Sequence, residues 1–222
     1  MRVRRAPGKG KEGGPRPRGR VRPDRRTELI EATMTVLIEH GLEGLRTRRV
    51  AECAGVNVAT LHYYFSTKEK LIQGLVDYLG ERFRTIHAPA PPGGSSHGLA
   101  LLRQEFADVA YYWDKERKLL LVMEELIHRS RRCPAIARIL QSSLAEWRSG
   151  LEGMLRAGRE EGAFRPEVSP EDGAALLSTA MMGLLGAPEL FGPVFRALER
   201  ALVKPDVLAG SGDKNDDSLN RS

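Results

Sequence analysis

Cysteine is nearly absent from this chain. Cys53 and Cys133 are its two thiols. Neither has ligand-type neighbours at the spacings a zinc site requires, so neither a disulfide framework nor a structural metal is expected. Cys53 falls in a stretch that reads as helix, where a packed thiol is expected rather than a reactive one, and a reducing cytoplasm is the natural setting. Nowhere is there an uninterrupted apolar run of about 18 residues, so no membrane-spanning helix is expected. The basic N-terminus is followed by no apolar segment, and a secretory signal is not expected either.

Catalytic signatures are missing too. No strands are evident, hence no Gly-rich phosphate loop joining a strand to a helix. No HExxH, paired-Cys or nucleophile–His–acid signature occurs. Glu124 and Glu125 are adjacent, and adjacent helical residues point about 100° apart, so at most one would face any pocket. The chain is therefore not expected to be an enzyme, and no cofactor is expected.

What is present is a globular composition, 41% apolar and 29% charged, long enough for one or two modest domains. The net charge of +6 is unevenly spread. Residues 1–26 carry eleven Lys/Arg against two acids, a net +9, which leaves −3 for the remainder. Arg, Gly and Pro dominate residues 1–22, which cannot bury enough apolar surface to fold alone. They read either as a solvated tail or as a flexible arm that neutralises phosphates.

The stretch from Arg46 to Leu71, RTRRVAECAGVNVATLHYYFSTKEKL, reads as two short helices about a tight turn. Val50, Ala51 and Ala54 give the first an apolar face. Gly55 follows, where a helix end favours positive φ. Asn57 is placed to cap the second helix, which buries Val58, Leu61 and Phe65 and shows Ala59, Thr60, His62 and Tyr63 on its other side. A helix, a Gly-bearing turn and a second helix is the arrangement that puts its second helix into the DNA major groove. Thr60 and Tyr63 can donate to phosphates, and His62 or Tyr63 can reach base edges. Ser66-Thr67-Lys68-Glu69 reads as a capping box opening a third helix. Lys68 in its first turn would meet an anion there, since the free N–H groups and the ammonium both favour one.

AGVNVATLHYYFSTKEKL, preceded by RRTELIEATMTVLIEHGLEGL, resembles the DNA-binding domain of the tetracycline-repressor (TetR) family of bacterial transcriptional regulators. The likeness is specific over about residues 25–75 and looser, in helix pattern alone, to about residue 203. It implies an all-α protein: a three-helix DNA-binding head, a helical body that binds an effector, and a homodimer on a palindromic operator in double-stranded DNA. The family usually has Ser or Thr capping the second helix and touching phosphate, where this chain has Arg46. Either Thr47 takes over the cap, or Arg46 makes the phosphate contact itself. The expected DNA-facing set is Arg46, Thr47, Arg48, Asn57, Val58, Ala59, Thr60, His62, Tyr63 and Lys68.

Four segments are expected: a disordered basic arm (1–22), the helix-turn-helix domain (23–72), a helical effector-binding and dimerisation domain (73–203) and a disordered tail (204–222). A first helix from Pro23 to Gly41 braces the head. The Ser66-capped helix runs on to about Ile86, long enough to join head to body. The Pro/Gly-rich HAPAPPGGSSH (87–97) interrupts the pattern, and further helices are expected at Leu99–Trp113, Glu116–Arg129, from Pro134 to about Glu161, from Pro170 to about Gly186, and Pro188–Val203. Phe106, Tyr111, Trp113, Met123 and Glu124 are candidates for an effector pocket, although the aromatics read equally well as ordinary core. Leu177, Met181, Leu184, Phe191, Val194, Phe195 and Leu198, on the last two helices, are candidates for the dimer interface. Residues 1–22 also allow a different class of function, a helical interaction module that binds nucleic acid non-specifically through its basic arm. The effector, the operator and the regulated genes are not written in the sequence.

Overall fold

The computed structural model describes residues 24–91 and 96–210; the basic arm at 1–22 and residues 211–222 of the expected tail lie outside them. Helix α1 is Arg25–Gly44, opened by Asp24, whose Oδ1 accepts from Thr27 N at 2.8 Å. Gly41, with φ 62°, breaks its helical path, and a further short turn follows. Helix α2 is Thr47–Cys53 and α3 is Val58–Tyr64. Between them Gly55 takes φ 65°, a left-handed conformation that a Cβ would penalise. Asn57 Oδ1 accepts from Thr60 N at 2.7 Å, the cap expected of it.

Three local expectations are corrected. Thr47 is the first residue of α2 rather than its cap, and the capping position, Arg46, makes no side-chain bond. Thr67, not Ser66, caps the next helix, α4 (Lys68–Thr85), with Oγ1 accepting from Lys70 N at 3.1 Å. The Ser66–Glu69 box does not form because Thr67, one position later, occupies the extended conformation that a cap needs. Cys53 is exposed rather than packed: α2 buries Val50 and Ala51 and turns Glu52 and Cys53 outward.

The body follows as α5 (His97–Lys115), α6 (Arg117–Ser130), α7 (Pro134–Glu160), α8 (Pro170–Leu184), a 3-10 turn at Pro188–Leu190, α9 (Phe191–Leu202) and α10 (Pro205–Gly210). Ser96 and Ser169 cap α5 and α8 through their hydroxyls, while proline stands at the start of α7 and α8, where its missing N–H leaves no bond unmade. The chain remains helical beyond residue 204, correcting the expected tail boundary: Val207 and Leu208 pack on the body core, and Leu208 N donates to Lys204 O. No strand occurs among the described residues, apart from one isolated bridge between Phe164 and Val203.

Buried side chains fall into two clusters. One holds α1 to α4 together with Leu119, Val122 and Leu126 of α6 and Ile136 and Leu140 of α7. The head is thus cored in part by the body. The other joins α5, the C-terminal half of α7, α8 and α9. Helices α5 and α7 cross closely at Gly98 and Gly158, where a Cβ on Gly98 would stand 2.4 Å from Gly158 Cα. Only glycine on both helices permits that approach.

Candidate nucleic-acid interface and the cavity behind it

Leu61 and Phe65 anchor α3 to the head core, which fixes the direction of the opposite face. That face carries Ala59, His62 and Tyr63, all exposed, with Tyr63 84% exposed and held edge-on against Tyr64. A tyrosine left so bare by folding is available to a partner. Thr60 has spent its hydroxyl proton on Asn57 Oδ1 at 2.9 Å, so it can still accept while rigidifying the start of α3. Val58 is partly buried against the head core, which leaves it at the margin of the face.

Positive charge gathers beside α3. Arg46 and Arg48 are exposed, and among the described residues Arg48 is paired with its helix neighbour Glu52 at 3.1 Å. Such an exposed pair is weak and readily exchanged for phosphate. Arg49, absent from the expected set, donates to Gly44 O at 3.0 Å and stands on the same helix. Lys68 behaves differently from expectation. Its ammonium donates to Leu42 O at 3.0 Å, tying α4 to the end of α1. Burial, and then the neighbouring Arg46, push its pKa down. That bond is structural: the Leu42 carbonyl takes the Lys68 ammonium as a second donor beside Leu45 N at 3.3 Å.

Behind the head lies a cavity of about 510 Å³, within the range of drug-sized sites. Its wall draws on α4 (Gly80, Phe83, Arg84), α5 (Glu105, Asp108, Tyr112), α6 (Leu120, Met123), α7 (Leu144, Trp147) and α8 (Met181, Met182). The lining is mainly apolar, with the ionisable groups on Arg84, His87, Glu105, Asp108 and Glu146. Of the residues expected to line an effector pocket, Met123 lines this cavity, and the four others lie elsewhere. Phe106 is buried and stacks on Phe195 at 4.4 Å. Trp113 packs edge-on to Phe191 and beneath the Arg117 guanidinium. Tyr111 meets Tyr112 edge-on outside the cavity, and Glu124 borders a separate, shallow recess between α1 and α6. Helical rotation explains the exchange: Tyr112 lines the cavity and its neighbours Tyr111 and Trp113 turn away from it.

The cavity touches the end of α4 through polar contacts. Tyr112 Oη lies 2.6 Å from Ile86 O and 2.9 Å from Phe83 O, donating its one proton between them. Burial raises its pKa, so it stays a neutral donor. Asp108 is buried and accepts from Ala88 N at 2.7 Å and from Gln104 Nε2 at 2.8 Å. Glu105, partly buried, accepts from the Trp147 indole, and burial followed by Asp108 raises its carboxyl pKa. The sequence offers one weak trace of this wall, the i, i+3 spacing of Glu105 and Asp108 on α5. His87 and Trp147 come from other segments and carry no local signal.

The residues expected at the dimer interface lie mostly inside the chain. Leu177, Met181, Leu184, Phe191, Phe195 and Leu198 are buried within the single chain, and Val194 is partly so. Exposed on α8, α9 and the 3-10 turn between them are Leu176 and, on the turn, Leu190, 45% and 46% exposed, with Ala175, Thr179, Gly183, Pro193 and Ala197.

Residues 29–75 match the family described as bacterial regulatory proteins, tetR family. The HTH-type transcriptional repressor KstR2 of Rhodococcus jostii (strain RHA1) is 29% identical over 157 residues, spanning 66% of this chain and 71% of that protein. Among solved structures, a transcriptional regulator from Rhodococcus sp. Rha1 is 30% identical, with a TM-score of 0.56 over 80% of this chain and 91% of its own. A TetR transcription regulator from Haloarcula marismortui shares the fold, with a TM-score of 0.68 over 82% of this chain and 99% of its own, at 22% identity.

Proposed function

We propose that this chain, which belongs to the tetR family of bacterial regulatory proteins and is a DNA-binding transcriptional regulator, is a ligand-released repressor that binds an inverted-repeat operator as a homodimer. The observation that carries the reading is the span of α4. It begins at Lys68, bonded to the head through Leu42 O, and its other end supplies Gly80, Phe83 and Arg84 to the cavity wall. A molecule that fills the cavity presses on the same helix that braces α3.

Two copies are needed for a palindrome, their recognition helices about 34 Å apart to enter successive major grooves. The exposed apolar and small residues of α8 and α9 support a two-fold four-helix contact, since small residues let helices approach closely. In this reading the head is 24–72, the body 73–210, and the DNA contacts come from Arg46, Arg48, Ala59, Thr60, His62 and Tyr63. The effector need only bind the mis-spaced dimer better, with about 1.4 kcal/mol of preference per tenfold loss of operator affinity.

The test is selection of bound fragments from genomic DNA with the purified full-length protein, followed by footprinting. Protection of one palindrome, with two-fold symmetry and a dimer in sedimentation, is the expected result. Length-dependent binding to any duplex would overturn it in favour of a non-specific nucleic-acid module.

A further inference from the structure

The cavity wall has an imbalance of charge that tells what it accepts. Among its lining residues, three carboxylates (Glu105, Asp108 and Glu146) face two cations, Arg84 and His87. Both cations are already engaged. His87 Nδ1 is 2.8 Å from Asp108 Oδ2, and Arg84 lies 3.0 Å from Glu81 and 3.5 Å from Glu146. Glu105 is left over. Its polar neighbours are the neutral indole N–H of Trp147 and, at longer range, His87, which is bonded to Asp108 instead; Glu105 itself makes no ion pair among the described residues. A partly buried carboxylate with one neutral donor is under-paired, because it can accept about four hydrogen bonds and gains most from a charged donor. Trp147, Phe83 and Tyr112 also line this space, and aromatic faces attract cations further.

Resting on the effector reading above, we infer that the cavity takes an apolar molecule carrying one cationic amine, which donates to Glu105 while its apolar body fills the space among Met123, Leu144 and Met181. An anionic ligand meets the surplus carboxylate, and the two cations among the described lining residues, Arg84 and His87, already face acids. A neutral ligand fills the apolar part and leaves Glu105 as it is. Positive charge is the feature that gives Glu105 an ionic partner.

The probes are three fluorescent molecules of one shape, pyrenemethylamine, pyrenemethanol and pyrenecarboxylate, titrated into the full-length protein. The amine is expected to bind at least about tenfold more tightly than the other two, the scale of a charge-assisted hydrogen bond. Glu105→Gln, which keeps the shape and removes the charge, is expected to erase that preference while leaving the alcohol's affinity unchanged. Trp147→Phe, which removes the competing indole donor, is expected to keep the amine preference. Circular dichroism of each variant shows that it is folded. If the carboxylate binds best, if the three bind alike, if the amine preference survives Glu105→Gln, or if none binds, the ligand class is wrong. Operator release is measured separately on the selected DNA fragment. An amine that binds through Glu105 but leaves the operator complex intact would retain the ligand class and overturn the effector reading.

Discussion

His87 Nδ1 lies 2.8 Å from Asp108 Oδ2, and the other ring nitrogen of His87 lies 3.0 Å from Arg84 O. A carbonyl can only accept, so Nε2 carries a proton. The carboxylate opposite Nδ1 also favours one, and the geometry suits the imidazolium. The pair bonds the segment leaving α4 to the middle of α5, at the edge of the cavity.

The hydrogen bond that His87 donates to Asp108 raises the His87 pKa above its ordinary value of 6.5. A raised folded-state pKa adds stability that is fully present below the unfolded pKa, about 6.5, and fades as pH climbs through the higher folded value. His87 is half-exposed, so the gain should stay below about 1 kcal/mol. Denaturant unfolding from about pH 6 to pH 8 should show this fall in the wild type and a flatter profile in His87→Gln. Parallel profiles in the two proteins would refute the assignment.

On the recognition helix, Tyr63 is bare and makes no core contact. Tyr63→Ala should leave stability within about 0.5 kcal/mol and weaken binding to the selected operator. Asn57→Ala should cost about 1 kcal/mol of stability through the missing cap as well as DNA affinity. His62→Ala and Ala59→Ser should instead shift base preference, by about 1–3 kcal/mol for each good base-edge interaction removed or added. Equal weakening across all operator positions would place both residues off the bases.

Relocation of the terminal-helix residues changes what dimer mutants should do. Leu176→Asp and Ala197→Glu, at exposed positions, should yield folded monomers with reduced operator affinity. Phe195→Asp, by contrast, buries an unpaired charge beside Phe106 and Phe191 and should unfold the body, because an isolated charge in an apolar core has no compensating partner. Sedimentation and circular dichroism separate the two outcomes. A Leu176→Asp dimer of wild-type strength would place the contact elsewhere.

A second tie between head and body runs through Glu125. Its Oε1 accepts from Leu42 N at 3.1 Å and from Arg129 Nε at 3.1 Å, while Arg129 also reaches Glu43 at 2.7 Å. Glu125→Ala orphans the Leu42 amide and should cost about 1–3 kcal/mol, with faster hydrogen exchange at that amide. Unchanged exchange would show that the amide finds another partner.

Deleting residues 1–22 tests the basic arm. Each phosphate neutralised contributes about 0.9 to the steepness of log K against log salt, so three contacts per subunit of a dimer would make the slope shallower by about 5 units. An unchanged slope would assign the arm no part in binding.

The sequence by itself determined the helices and the recognition turn, because their causes are local. A glycine placed where φ must be positive, an asparagine one residue before a helix, and apolar residues at three- and four-residue intervals act over a few residues. They fixed Gly55, Asn57, Leu61 and Phe65 without reference to the rest of the chain. Choices between near-equal local alternatives were less legible: Thr67 and Ser66 could each cap α4, and it is the Thr67 hydroxyl that meets Lys70 N. Tertiary structure alone decided which apolar residues became core and which became surface. Phe195 and Leu198 read as well for a dimer face as for a core, until α5 and α8 covered them. The cavity depended on tertiary structure most of all. Its wall joins Arg84 and His87 with Glu105 and Trp147, three stretches of the chain that meet only when α4, α5 and α7 pack. A helix's periodicity tells that it has a buried face, but not which neighbour, or which void, that face will meet.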